Sequence, residues 1–75
     1  MNLYLVVRLD RVGFDQYSAF VVAASTQEAA VNTSPDPSGL LHAWPTDRAL
    51  IDVQYIGTAA FGLPAGIVLA SFNAG

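Results

Sequence analysis

Residues 16–30, QYSAFVVAASTQEAA, predict a strand that is followed directly by a short helix. Nearly every residue of Tyr17–Ala24 is apolar, and its valine, phenylalanine and tyrosine side chains favour a pleated sheet. The apolar run stops at Ser25, and Ser25 and Glu28 have the spacing of a capping box, in which each side chain accepts a hydrogen bond from the other residue's backbone N–H. We therefore expect a helix that begins near Thr26, with Ser25 as its N-cap.

Three further segments have the pattern of strands. Asn2–Asp10 alternates between two faces with a period of two residues, and the glycine-containing segment 11–15 predicts a hairpin loop that pairs it antiparallel with the strand of residues 17–24. Ile51–Gly57 alternates in the same way, and Gly66–Phe72 is apolar on both faces.

The segment between the second and third strands predicts a short helix and then a long loop. Asn32–Pro35 contains poor helix formers followed by a proline, so we expect the helix to end after about two turns. Ser34–Arg48 contains three prolines, and Thr46 and Asp47 could cap one helical turn at its end. The predicted fold is α+β: one small domain, residues 1–75, in ββαββ order, with a mainly antiparallel four-stranded sheet, one short helix and a long Pro-rich loop.

The composition indicates apolar surface that a chain of this size does not hide alone. Of the 75 residues, 53% are hydrophobic and only 12% are charged, whereas an ordinary soluble domain has about 25% charged residues. The second and fourth strands are apolar on both faces, as in a sheet that is covered on both sides. One short helix covers only part of one side, so we expect a homodimer or a protein partner to cover the rest. We also expect Phe72 to be buried, because its ring is the largest apolar group near the C-terminus.

The charged residues and the lack of cysteine exclude several classes of function. The net charge is −3, with three arginines and no lysine, so the chain has no basic stripe for direct nucleic-acid binding. The sequence contains no cysteine, which excludes disulfides and thiolate chemistry and fits a reducing compartment. No signal peptide or membrane span is visible. We expect a soluble protein of the cytoplasm with no membrane partner.

No pattern of catalytic, cofactor-binding or metal-ligating residues stands out. His42 is the only histidine, and Asp36 and Asp47 could orient it as a general base. Without a second histidine or a convincing nucleophile, a solvated or packing role is the better interpretation. The six carboxylates are scattered singly, and neither phosphate-binding loop motif occurs. We expect a protein that is not an enzyme and holds no cofactor.

Two groups of residues have both a structural and a binding interpretation. Trp44, between Ala43 and Pro45, either plugs the open end of the core, which we favour, or is an exposed anchor for a partner. The charges near the first hairpin either keep that end of the protein soluble or form the polar rim of a binding surface. The candidate partner-binding residues are Arg8, Asp10, Arg11, Phe14, Asp15 and Trp44.

Both ends of the chain resemble a group of small accessory proteins encoded by tailed bacteriophages and prophages. In that group an LYLV-x-R-x-D-R segment leads into a glycine-aromatic-aspartate turn and an FVVAA strand, and the chain ends in IGTA and VLASFNAG. The matching positions here are Leu3–Val6, Arg8, Asp10, Arg11, Gly13–Asp15, Phe20–Ala24, Ile56–Ala59 and Val68–Gly75. The middle departs from the pattern, because residues 27–32 lack the more charged helix of the group.

The resemblance implies a phage accessory protein that acts in the infected bacterium, and it implies no catalytic residue. Together with the composition, it favours a non-enzymatic factor that binds a host protein, for example a defence or gene-expression component, and inhibits or redirects it. Two alternatives remain: a self-assembling virion or scaffold component, and a small ligand-binding domain or enzyme that uses His42.

Overall fold

The computed structural model describes residues 1–11, 16–35, 44–45 and 47–73. Its regular elements, in chain order, are β1 (Asn2–Arg8), β2 (Gln16–Ala24), α1 (Gln27–Val31), a 3-10 turn (Arg48–Leu50), β3 (Ile51–Thr58) and β4 (Gly66–Asn73). The four strands form one sheet in the order β3-β1-β2-β4, and all three neighbouring pairs are antiparallel. A four-stranded antiparallel sheet with one short helix confirms the α+β class.

One face of the sheet carries the core of the protein. Directly opposite residues of antiparallel strands share a face, so the pairings Val6↔Phe20 and Tyr4↔Val22 place four apolar side chains on the same side. All four are buried, and Phe20, Val6 and Val22 are the largest side chains with almost no exposure. We call this side the core face.

The core face is covered by α1 and by Trp44. Ala30 of α1 is fully buried and belongs to the same cluster as Tyr4, Val22 and Ile51. The indole of Trp44 packs edge-on against the ring of Phe20, with the two centroids 5.0 Å apart. This position confirms the interpretation of Trp44 as a plug for the core.

The helix begins one residue later than the capping box predicts. The N-cap is Thr26, whose hydroxyl oxygen accepts a hydrogen bond from the backbone N–H of Ala29 at 3.1 Å. The prediction of Ser25 as the N-cap is therefore wrong. Since residue 29 is an alanine, its side chain has no oxygen to return a bond to the cap, and Thr26 caps the helix without a capping box.

Two other predictions have different outcomes. Asp47 caps the 3-10 turn as expected, because its carboxylate accepts a hydrogen bond from the backbone N–H of Ala49 at 3.0 Å.

The prediction that Phe72 is buried is wrong, since 45% of this residue is exposed. Phe72 lies on β4, an edge strand with a neighbour on one side only, so its ring is sheltered chiefly by Tyr17, at 4.8 Å between centroids.

Among the described residues, the one α-helix has five residues and is far too short to cross a membrane.

Candidate protein-binding surface

The side of the sheet opposite the core face, which we call the outer face, includes two adjacent rows of residues that cross all four strands. Because paired residues share a face, the register of the strands defines both rows directly. The rows are Gln54–Leu5–Val21–Leu69 and Asp52–Val7–Ala19–Ser71. Apart from the polar residues at the two ends, every position in these rows is apolar.

The outer face is open where the core face is closed. Leu69 is 69% exposed, and Leu5, Val7 and Val21 are each half-buried, although they lie in or next to the centre of the sheet. A shallow groove of about 310 Å³ crosses this side, lined by Leu5, Ala19, Phe20, Val21, Leu69, Ala70 and Ser71. Contiguous exposed apolar surface of this kind is typical of protein interaction sites.

The β3 side of the outer face has a polar, negatively charged rim. The amide nitrogen of Gln54 donates a hydrogen bond to the carboxylate of Asp52 at 3.1 Å, which holds the two side chains together. Asp52 lies directly opposite Val7 and Gln54 directly opposite Leu5. An apolar centre bordered by an acidic group matches a partner whose apolar patch is bordered by lysine or arginine.

The C-terminal part of the chain has no charged residue after Asp52. Its apolar side chains are nevertheless exposed: the large hydrophobic residues at least 40% exposed in this part are Tyr55, Ile56, Phe61, Ile67, Val68, Leu69 and Phe72. Charged side chains usually keep such surface in solution. This segment is therefore the least protected against association with another protein.

Phe61 is the most exposed of these residues. It lies in the connection between β3 and β4, and at 108% relative exposure its ring is not sheltered by any residue that the structure describes. The next residue, Gly62, has φ of +88°, a left-handed conformation that glycine adopts without strain. The backbone bond from Leu63 N–H to the Ala60 carbonyl, 3.1 Å, closes this turn and presents the phenyl ring at its tip.

Two charged residues near the first hairpin, Arg8 and Asp10, form an ion pair. Arg8 lies on the core face at the end of β1 and is only 8% exposed. Its Nε and Nη2 donate to the two carboxylate oxygens of Asp10 at 2.6 and 2.9 Å, and its Nη1 donates to the carbonyl oxygen of Tyr17 at 3.1 Å. The guanidinium carbon also lies 6.0 Å from the centroid of the Trp44 ring, within cation–π range.

These contacts stabilise both charges. The bidentate hydrogen bonds from Arg8 lower the pKa of Asp10, and the same bonds raise the pKa of Arg8. The guanidinium group of Arg8 contacts a carboxylate, a backbone carbonyl and an indole face. It thereby connects β1, β2 and Trp44. This arrangement supports a structural role for Arg8 and Asp10.

The candidate partner-binding residues are thus distributed over different environments. Arg11 is exposed, Asp10 is half-buried, and Arg8 and Trp44 are buried. Phe14 and Asp15 lie outside the described residues, as do Asp36 and His42 of the alternative catalytic interpretation. No set of three or more histidine, cysteine or carboxylate side chains with the geometry of a metal site occurs in the part of the chain that the structure describes.

Sequence reasoning missed the outer face as a specific site, and it missed Phe61. The signal for Phe61 was present, since an aromatic residue flanked by Ala60 and Gly62 in a glycine- and proline-containing connection has few neighbours that could bury it. The signal for the outer face was the alternation of Leu3, Leu5 and Val7 along β1.

Comparison with known proteins finds no matching family model, no similar curated protein and no similar solved structure.

Proposed function

We propose that the chain is a phage-encoded, non-enzymatic binding protein that docks on a host bacterial protein through its outer face, and thereby inhibits or redirects that protein. The resemblance of both chain ends to small phage accessory proteins supports the phage origin and the cytoplasm of the infected host as the place of action. A defence or gene-expression component is the class of target that such a factor would have. We also propose that the ββαββ order holds for the whole chain and that the protein is a homodimer.

The open apolar outer face is the observation that carries this proposal. The helix and Trp44 both pack on the core face, and among the described residues the side chains of the row Gln54–Leu5–Val21–Leu69 stay half-buried or exposed. Covering apolar surface gains about 25 cal/mol per Å². A partner that covers this face would therefore gain affinity without any catalytic chemistry.

The chemistry of the outer face supports a partner of complementary chemistry. Its centre is apolar, and its β3 rim carries the carboxylate of Asp52. The complementary surface is an apolar patch with a lysine or arginine beside it, as occurs at the edge of nucleic-acid-binding sites in host enzymes. An acidic protein with a net charge of −3 would approach such a basic surface faster than a neutral one.

A pull-down from the bacterial host with mass spectrometry tests the proposal, using two variants that add the same charge at different places. Leu5→Lys places a cation in the centre of the outer face, and Thr58→Lys places one at an exposed strand end. A true partner should be recovered with the wild type and with Thr58→Lys and should be lost with Leu5→Lys, provided that circular dichroism shows both variants folded. Equal recovery with all three proteins would refute outer-face binding.

Self-assembly into a virion or scaffold is the second candidate, and the free edge strands favour it. β3 and β4 are the two edges of the sheet, and an edge strand can pair with another chain. Under this alternative the protein would be found in purified phage particles, whereas the host-binding proposal places it in the cell lysate.

A further inference from the structure

β4 is an edge strand that lacks two of the usual protections against pairing, a charged side chain and a proline. Residues 66–73, GIVLASFN, contain no charged side chain and no proline. Natural proteins generally place lysine, proline or an inward-pointing charge on such an edge. The other edge strand, β3, does carry a charge, Asp52. Two register shifts interrupt the β2–β4 ladder, one at Val68 on β4 and one on β2 between Tyr17 and Ala19, and each residue of β4 from Leu69 to Asn73 keeps a partner on β2.

The backbone groups of β4 that are available to another strand can be identified. The hydroxyl of Ser18 on β2 donates to the carbonyl oxygen of Ser71 at 3.3 Å, so this carbonyl points toward β2. In an antiparallel strand the N–H and C=O of one residue point to the same side, and the side alternates from residue to residue. Ala70 and Phe72 therefore direct their N–H and C=O groups away from β2, toward the open edge.

We infer that β4 pairs antiparallel with β4 of a second copy, about a two-fold axis that passes at Ser71. In this arrangement Ala70 of each copy lies opposite Phe72 of the other, and the two residues exchange both of their backbone hydrogen bonds. The two copies of Ser71 face each other as a non-hydrogen-bonded pair at the axis. The inference rests on the homodimer of the proposed function and adds the element and the register that form it.

The composition of the two edge strands favours a second copy that pairs through β4 over one that pairs through β3. Self-pairing brings no like charges together, because β4 has none, whereas a β3–β3 pair would bring two Asp52 carboxylates toward each other. Ala70 and Ser71 are small, so nothing bulky stands at the axis. Three apolar side chains that are 40–69% exposed lie beside the contact: Ile67, Leu69 and Phe72. Pairing would remove part of their apolar surface from water.

The two-fold axis is perpendicular to the sheet, and the dimer therefore has one continuous eight-stranded sheet. Both outer faces lie on the same side of it, with the two copies of Leu69 near its centre. Because only the residues around Ser71 are paired, we expect this interface to bury less than the standard area of about 800 Å² per partner. We therefore expect the dimer to dissociate on dilution.

Charge substitution at the axis tests the inference with purified protein. Ser71 is exposed, so Ser71→Lys and Ser71→Glu should both fold. In light scattering from about 1 to 500 μM, we expect the wild type to approach twice the chain mass of 7.9 kDa and each variant to remain at 7.9 kDa. An equimolar mixture of the two variants should restore the dimer, because the charges at the axis are then opposite. A wild-type protein that stays monomeric, or a Ser71→Lys protein that still dimerises, overturns the inference.

Cross-linking identifies the edge that pairs. The sequence contains no cysteine, so a single introduced thiol reports on one position. Ser71→Cys should form a disulfide-linked dimer under mild oxidation, since non-hydrogen-bonded pairs have Cα atoms about 4.5 Å apart. Gln54→Cys on β3 is the matched control and should remain monomeric on a denaturing gel. Linking only in a mixture of the two variants would mean open β3–β4 assembly and would overturn the β4 dimer, while the host pull-down tests outer-face binding separately.

Discussion

The ring of Phe20 and the indole of Trp44 meet edge to face, with centroids 5.0 Å apart and planes inclined by 63°. Phe20 lies in the middle of β2, and Trp44 belongs to the segment between α1 and the 3-10 turn. This contact joins the sheet to the segment that contains Trp44. It also determines which face of the sheet is the core and leaves the other face open.

Removing this plug should destabilise the fold strongly. We expect Trp44→Ala to lower the free energy of unfolding by about 3 kcal/mol, the lower end for loss of a buried aromatic residue. Trp44→Phe should cost less, because it keeps a ring against Phe20 and removes an indole N–H that is buried without a hydrogen-bond partner among the described residues. Urea unfolding followed by circular dichroism measures both values. An alanine variant as stable as the wild type would show that Trp44 does not belong to the core.

The N-cap of α1 can be tested with two neighbouring substitutions. Thr26→Ala removes the hydroxyl that accepts the Ala29 N–H bond and should cost about 1 kcal/mol of stability. Ser25→Ala, the matched control, changes an exposed residue and should change stability by less than about 0.5 kcal/mol. Thermal unfolding of both variants decides between the two caps, and a larger loss for Ser25→Ala would restore the capping box.

The Arg8–Asp10 pair predicts a loss of stability in acid. The hydrogen bonds from Arg8 lower the pKa of Asp10 in the folded protein, below the ordinary value of about 3.9. The pair therefore stabilises the fold fully above that ordinary value, and its contribution disappears as the pH falls through the lower, folded pKa.

Thermal unfolding between about pH 7 and pH 2 measures this effect. Asp10→Asn should be less stable than the wild type at neutral pH, and the difference should shrink in acid. The side chain of Asp10 is 30% exposed, so solvent screening keeps the difference modest. A difference that stays constant over the whole pH range would contradict the ion-pair explanation.

Phe61 should contribute to binding rather than to folding. Its ring is fully exposed, so Phe61→Ser should change the free energy of unfolding by less than about 0.5 kcal/mol. Val22→Ala is the internal comparison, because Val22 is 1% exposed and its truncation leaves a cavity in the core. If Phe61→Ser destabilises the protein as much as Val22→Ala, the loop packs on the protein in solution.

The strands were predictable from the sequence because alternation is a local property. The predicted bounds of all four strands lie within two residues of the observed ones. The side of the sheet that becomes the core was not predictable, since β1 offers Tyr4 and Val6 on one face and Leu3 and Leu5 on the other, which are equally apolar. Packing of Ala30 and Trp44 makes this choice, and both come from outside the strand.

Two errors have the same physical origin. The Ser25/Glu28 spacing fits a capping box, but the chain turns into the helix at Thr26, and the sequence pattern alone does not fix that turn. The size of Phe72 suggested burial, but the strand order places β4 at an edge, where one side of the ring has no neighbouring strand. In each case the position of the residue in the tertiary structure outweighed its local pattern.

We propose that the outer face binds a host protein. The decisive measurement is the dissociation constant between this protein and the host protein that the pull-down captures. Isothermal titration with the wild type, Leu5→Lys and Thr58→Lys compares a charge at the centre of the outer face with the same charge at an exposed strand end away from that centre. We predict binding at least about tenfold weaker, about 1.4 kcal/mol, for Leu5→Lys and an unchanged constant for Thr58→Lys. Equal affinity of all three proteins for the partner would show that the host protein does not bind the outer face.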